Sequence, residues 1–288
     1  MRLGKERDMR ILCAMLGGTI SSYNSEGTVK LGEPSFVRDL LSAKFPLHDL
    51  VFPEFDTYSS EDATPYTYRK ALKQIVDETR NGGPDGILIT HGTDTCAFFA
   101  QLAARILEET GIPFVITGSV KAPDVDPDEA SGNLVYAVQC LGDGKTGVVF
   151  RDRSGSPALY RAHLIMSPDI YGIYDEYKDG NRPKITDHTD FLTKETLPEI
   201  CVIPAVPGAV IPRKGFDRVL ICCNHSGTAS TELEPLVRQW TSEGIPCFMA
   251  PVPTDSGVYE SRKRLREAGV EELTGMPIEG AWCEVLLR

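Results

Sequence analysis

The sequence predicts an α/β protein with a larger N-terminal parallel-sheet domain and a smaller C-terminal α/β domain. Three observations carry that expectation. Short apolar runs of strand length, such as Ile87-Leu88-Ile89, alternate with amphipathic stretches of helix length, the pattern of a parallel sheet with right-handed crossovers. The alternation breaks off after Arg151 and resumes at Arg218. Glycine and hydroxyl residues recur directly after the strand-like runs, at the carboxyl edge where open parallel sheets bind ligands.

Arg10–Leu16 reads as the first buried strand and ends in Gly17-Gly18-Thr19-Ile20. A polar loop, Ser21–Lys30, leads to a helix from Pro34 to Lys44, proline suiting a first helical position. Val51–Asp56 reads as the second strand, with Tyr58-Ser59-Ser60-Glu61-Asp62 as its terminal loop. Thr64-Pro65 opens a helix to Arg80 with Tyr68, Ala71, Leu72, Ile75 and Val76 on one face. Strand Gly86–Thr90 is broken by Gly92, and Thr93-Asp94-Thr95 opens a helical pattern to Glu109. Pro113–Thr117 is a fourth strand, ending at Gly118-Ser119. An acidic loop, a helix near Ala130–Leu141 and a strand near Val148–Phe150 follow.

Residues 151–185 hold many turn formers and Tyr160, Tyr171, Tyr174 and Tyr177, which predicts hairpins or an excursion closing a first domain over 1–185. Residues 186–212 carry Pro198, Pro204, Pro207 and Pro212 and read as a linker. The second domain, 213–288, takes strand Arg218–Cys223, helix Glu232–Glu243, strand Pro246–Ala250 and helices near Tyr259–Ala268 and Pro277–Leu287.

A net charge of −11 over 288 residues argues against a nucleic-acid partner, since phosphate binding needs clustered Lys and Arg. No apolar run reaches the length of a membrane span, and the N-terminal residues lack the apolar segment of a secretory signal. Eight cysteines include no Cys-x-x-Cys pair, so they read as reduced core residues of a cytoplasmic protein. His48, His91, His163, His188 and His225 are dispersed and predict no metal. Without Gly-x-Gly-x-x-Gly, a phosphate-binding Gly-Lys-Ser/Thr loop or Gly-x-Ser-x-Gly, no cofactor is expected either.

Four polar turns remain: Gly17-Gly18-Thr19, Ser60-Glu61-Asp62, Gly92-Thr93-Asp94 and Gly118-Ser119. All follow strands of one expected sheet and so share one edge. Glycines let backbone N–H groups approach a ligand, hydroxyls supply nucleophiles, and carboxylates hold an ammonium group. The set suits a small zwitterion. Thr and Asp also serve as helix N-caps, and that plainer role stays open from the residues alone.

Leu16-Gly17-Gly18-Thr19-Ile20 resembles the Thr-Gly-Gly-Thr-Ile motif of bacterial-type L-asparaginases, and Thr90-His91-Gly92-Thr93-Asp94-Thr95 matches their His-Gly-Thr-Asp-Thr motif in full. Ser59–Pro65 resembles the family's substrate loop. Ala268-Gly269-Val270 with Gly275–Ala281 resembles the C-terminal helix of the cytoplasmic type I members. The resemblance implies an asparaginase-like two-domain fold and an amidohydrolase acting on asparagine or a related small amino-acid derivative. It implies Thr19 as the nucleophile that forms an acyl-enzyme, and Thr93 with Asp94 as a second catalytic group. Ser60 and Glu61 would hold the substrate's α-groups, with Gly18, Gly92 and Ser119 lining the ligand. It implies a homodimer or homotetramer with the site at a subunit interface, completed by the Asn224–Gly227 loop.

The departures are specific. Leu16 replaces the first Thr. Thr28 or Tyr23 stands where the family has a loop Tyr. The Lys that completes the second catalytic group should fall near Ser167, yet no Lys lies between Lys145 and Lys178; Lys121 is a neighbour in sequence to the Gly118-Ser119 turn. These departures keep two competitors in view, an amino-acid-binding regulatory protein without turnover and altered acyl chemistry in the same pocket. The family's relatives that act on charged transfer RNA carry an extra N-terminal domain, and with few residues ahead of Arg10 and an acidic chain that role is not expected.

Overall fold

The computed structural model describes residues 8–178, 180, 188–254 and 257–288. Among the described residues the chain separates into two compact units, the first taking in 8–176 and 188–193 and the second 177, 178, 180 and Lys194–Arg288.

In the first unit, β1 (Arg10–Met15) lies between β4 (Asp49–Val51) and β5 (Gly86–Thr90), followed by β6 (Phe114–Thr117), β7 (Gly147–Arg151) and β8 (Pro157–Tyr160). The first five pair in parallel and β8 runs antiparallel to β7. The chain thus leaves β1 toward β4 on one side and returns to β5 on the other, so β1 and β5 flank the point where the winding direction reverses. Such a point opens a crevice at the carboxyl ends of the strands.

These strands are apolar throughout because both faces are covered. Ile11, Cys13 and Met15 pack with Val37 and Leu41 of α1 (Ser35–Lys44) and Leu134 and Val138 of α4 (Pro127–Gly142). Leu12 and Ala14 alternate to the opposite face and are equally buried. α2 (Pro65–Gly82) buries the expected stripe of Tyr68, Ala71, Leu72, Ile75 and Val76. It starts where expected because Thr64 and Thr67 form a reciprocal capping box with Pro65 at the first position.

Three expectations are revised. The polar segment 21–30 is a hairpin, β2 (Ser22–Ser25) against β3 (Thr28–Leu31), turned through Glu26 and Gly27 at φ 53° and 79°. It escapes a hydrophobic-pattern reading because both its faces are largely exposed. The second strand stops at Val51 rather than Asp56, ahead of Pro53, which lacks the N–H a ladder needs. The stretch 186–212, expected as a linker, holds β9 (Ile200–Ile203), an edge strand of the second sheet.

That second sheet has the order β12-β11-β10-β9, all parallel, with β10 (Arg218–Cys222), β11 (Cys247–Val252) and β12 (Val270–Thr274). One face packs on Val237 and Trp240 of α5 (Glu234–Ser242) and Leu265 of α6 (Glu260–Glu267). The other packs on Ala281 and Val285 of α7 (Ile278–Leu287). β12 went unread in sequence because Glu271 and Glu272 interrupt its apolar pattern; Glu272 instead pairs with the buried Arg262 at 2.8 Å.

Candidate active site

Three of the four polar turns converge at the reversal point between β1 and β5. Gly17 and Gly18 follow β1 at φ 101° and 83°, the left-handed side that only glycine adopts without strain. A Cβ on Gly18 would overlap the backbone N and Cα of Gly92, so the two turns touch main chain to main chain. A Cβ on Gly92 would lie 2.5 Å from Ser60 Oγ, which brings the third turn to the same point. Thr19 and Thr93 are the residues directly after the two touching glycines. Both are half-buried, whereas Asp94 and Glu61 are exposed and Ser60 is buried.

Hydrogen bonds lock this arrangement. Leu16 N donates to Thr90 O at 3.1 Å, and Tyr58 N donates to Leu16 O at 3.1 Å. Thr95 Oγ1 donates to Ser60 O at 2.8 Å, and Ser60 Oγ lies 3.5 Å from Asp94 Oδ2. The plainer capping role therefore fails for Thr95: it stands at the N-cap of α3 (Cys96–Leu107), but its side chain caps no helix N–H. Among the described residues, the N–H groups of Gly92, Thr93 and Asp94 make no hydrogen bond. Open N–H donors ahead of a helix N-terminus are able to accept negative charge.

The asparaginase N-terminal family model matches residues 10–165, the whole of this strand-and-turn assembly. The chain belongs to the asparaginase family. That family is one of asparaginase-like amidohydrolases, and the chain has its mixed α/β architecture. The L-asparaginase of Thermococcus kodakarensis is 29% identical over 220 residues, covering 69% of this chain and 65% of that protein. A glutamyl-tRNA(Gln) amidotransferase component from Methanosphaera stadtmanae is 26% identical over 321 residues, covering 98% of this chain and 72% of that protein. Among solved structures, the thermostable L-asparaginase from T. kodakarensis superposes with a TM-score of 0.73 at 20% identity, covering 97% of this chain and 92% of that one. L-asparaginase I from Vibrio cholerae gives 0.74 at 20% identity, covering 98% and 92%.

Within this asparaginase-family framework the fourth turn behaves differently. Ser119 is fully buried, and its hydroxyl donates to Lys121 O at 2.6 Å. Glu129 accepts from Val120 N and Lys121 N at 2.9 and 3.1 Å, fixing the same bend. Lys121 Nζ lies 3.8 Å from Asp126 on an exposed side chain. The hairpin that carries Tyr23 and Thr28 docks through Asn24 N on Asp124 Oδ2 at 2.7 Å. Beneath it, a cavity of about 370 Å³ is lined by Ile20, Ser21, Tyr23 and Asp124.

His91 is wholly buried, stacked on Phe99 at 4.7 Å and edge-on to Tyr58 at 5.5 Å. Burial pushes its pKa down to about 4, so near neutral pH the ring is uncharged and its Nδ1–H donates to Gly92 O at 2.8 Å. The residue that sequence reasoning missed is Tyr174. Its hydroxyl donates to Thr93 O at 2.8 Å and its ring stacks on Phe150 at 4.5 Å. Periodicity offers no signal for a contact spanning 81 residues from an irregular segment.

Proposed function

We propose that the protein hydrolyses the side-chain amide of asparagine or a closely related small amino-acid derivative. The convergence of Gly18, Gly92 and Ser60 carries this reading, because it brings the Thr19 and Thr93 turns and the Ser60-Glu61 turn to one point. Thr19 Oγ1 attacks the amide carbonyl; the open N–H groups at Gly92, Thr93 and Asp94 receive the oxyanion. Collapse of the tetrahedral species expels ammonia and leaves an ester on Thr19, which water then hydrolyses. Ser60, Glu61 and Asp94 hold the α-carboxylate and α-ammonium groups. Ser119 shapes its own bend through Lys121. In this reading the chain works in the cytoplasm as a homodimer or homotetramer, and no described helix is long and apolar enough to cross a membrane.

A second reading, amino-acid binding without turnover, is favoured by the absence of any Lys from 146 to 177. Loss of a proton-handling group lowers rates by about 10²–10⁴. Ammonia release from asparagine and glutamine, run beside calorimetric titration with aspartate, decides between them. Turnover supports the first reading; aspartate binding with no ammonia supports the second. The near full-length likeness to an amidotransferase component makes glutamine the necessary second substrate in that assay.

A further inference from the structure

The excursion after β8 returns to the site. Met166 N donates to Asp175 O at 3.0 Å and Asp169 N to Ile173 O at 3.0 Å, closing a tight turn, while Gln101 Nε2 anchors its base on Ile165 O at 3.1 Å. This delivers Tyr174 to the underside of the Thr93 turn. The ring is 2% exposed, and burial raises the phenol's pKa well above its ordinary value. It therefore stays protonated and serves as a donor, never as a base.

A trans peptide points its carbonyl and the following N–H in opposite directions. The carbonyl of Thr93, held by Tyr174 Oη at 2.8 Å and more weakly by Cys96 N at 3.4 Å, shares its peptide group with the N–H of Asp94. That N–H points away from the buried ring and has no partner among the described residues. A bond accepted at one end of a peptide group strengthens donation at the other.

We propose that Tyr174 is a positioning residue of this active site: its hydroxyl fixes and polarises the Thr93–Asp94 peptide, so that the Asp94 N–H is held as an oxyanion donor. The inference rests on the amide-hydrolysis reading above. The excursion, which has no Lys, thereby contributes a fixed neutral donor acting through the backbone.

Tyr174→Phe removes the hydroxyl and leaves the ring stacked on Phe150. The expected result is a kcat about tenfold lower, with KM for asparagine and the aspartate Kd within about twofold of the parent. An unchanged kcat, or kcat and affinity falling together with the melting temperature, overturns the proposal. If the parent protein releases no ammonia, the hydrolysis reading fails separately, and the Asp94 amide 15N chemical shift in the ligand-free protein tests the geometry. An upfield shift of that resonance in Tyr174→Phe, with the remaining amides outside the Thr93 turn unmoved, upholds it, because the preceding carbonyl has lost its donor; an unchanged Asp94 shift overturns it.

Discussion

Gly18 and Gly92 meet main chain to main chain, with no room for a Cβ on the first. The contact holds the Thr19 turn after β1 against the Thr93 turn after β5. Gly18→Ala is therefore expected to lower stability by more than about 3 kcal/mol, since a backbone region reserved for glycine alone accounts for about 1–3 kcal/mol and steric overlap adds to it. Gly27→Ala is the control: φ is also positive there, but nothing lies within 4 Å, and a loss of about 1 kcal/mol is expected. Urea denaturation of the two variants measures the difference.

Thr95 joins the second pair of turns through its hydroxyl on the Ser60 carbonyl, at 2.8 Å. Thr95→Val keeps the shape and deletes the bond, worth about 1 kcal/mol. The expected outcome is a rise of about fivefold in the Kd for aspartate, because the Ser60-Glu61 turn then loosens from the Thr93 turn. Isothermal titration reads it directly.

Ser119→Ala is expected to leave the aspartate Kd and the KM unchanged within about twofold and to lower stability by about 1 kcal/mol. Its hydroxyl is committed to Lys121 O. A large rise in KM shows instead that the hydroxyl reaches the ligand.

The buried His91 gives the fold an acid-sensitive component. Its pKa falls from 6.5 to about 4 on burial, so the unfolded chain binds the proton more readily. Stability from this group is complete above pH 6.5 and is lost as pH falls from there toward 4. Between about pH 7.5 and about pH 4.5 the loss amounts to about 2 kcal/mol. His91→Gln removes this component, and the unfolding free energies of the two proteins at both pH values measure it.

The parallel strands were legible because burial on both faces leaves runs such as Gly86–Thr90 without polar interruption. β12 was not, since Glu271 and Glu272 are accommodated at an edge and by the Arg262 pair. The hairpin over 22–31 was missed for a related reason, its exposure removing the hydrophobic alternation that marks a strand. The meeting of the Gly18, Gly92 and Ser60 turns was legible from strand-end position and motif. Ser119 shared both features, yet its hydroxyl is turned to its own loop. Tyr174 shared neither, because its place at Thr93 is set by the return of an irregular segment.

The central claim is that the Thr19 hydroxyl attacks an amide held by the Thr93 and Ser60 turns. Thr19→Ala, assayed for ammonia release from asparagine and glutamine with aspartate titration on the same sample, tests it most directly. The expected result is loss of turnover by at least about a thousandfold, with aspartate affinity retained within a few-fold. Ammonia release persisting at the parental rate in a variant that still binds aspartate contradicts the claim.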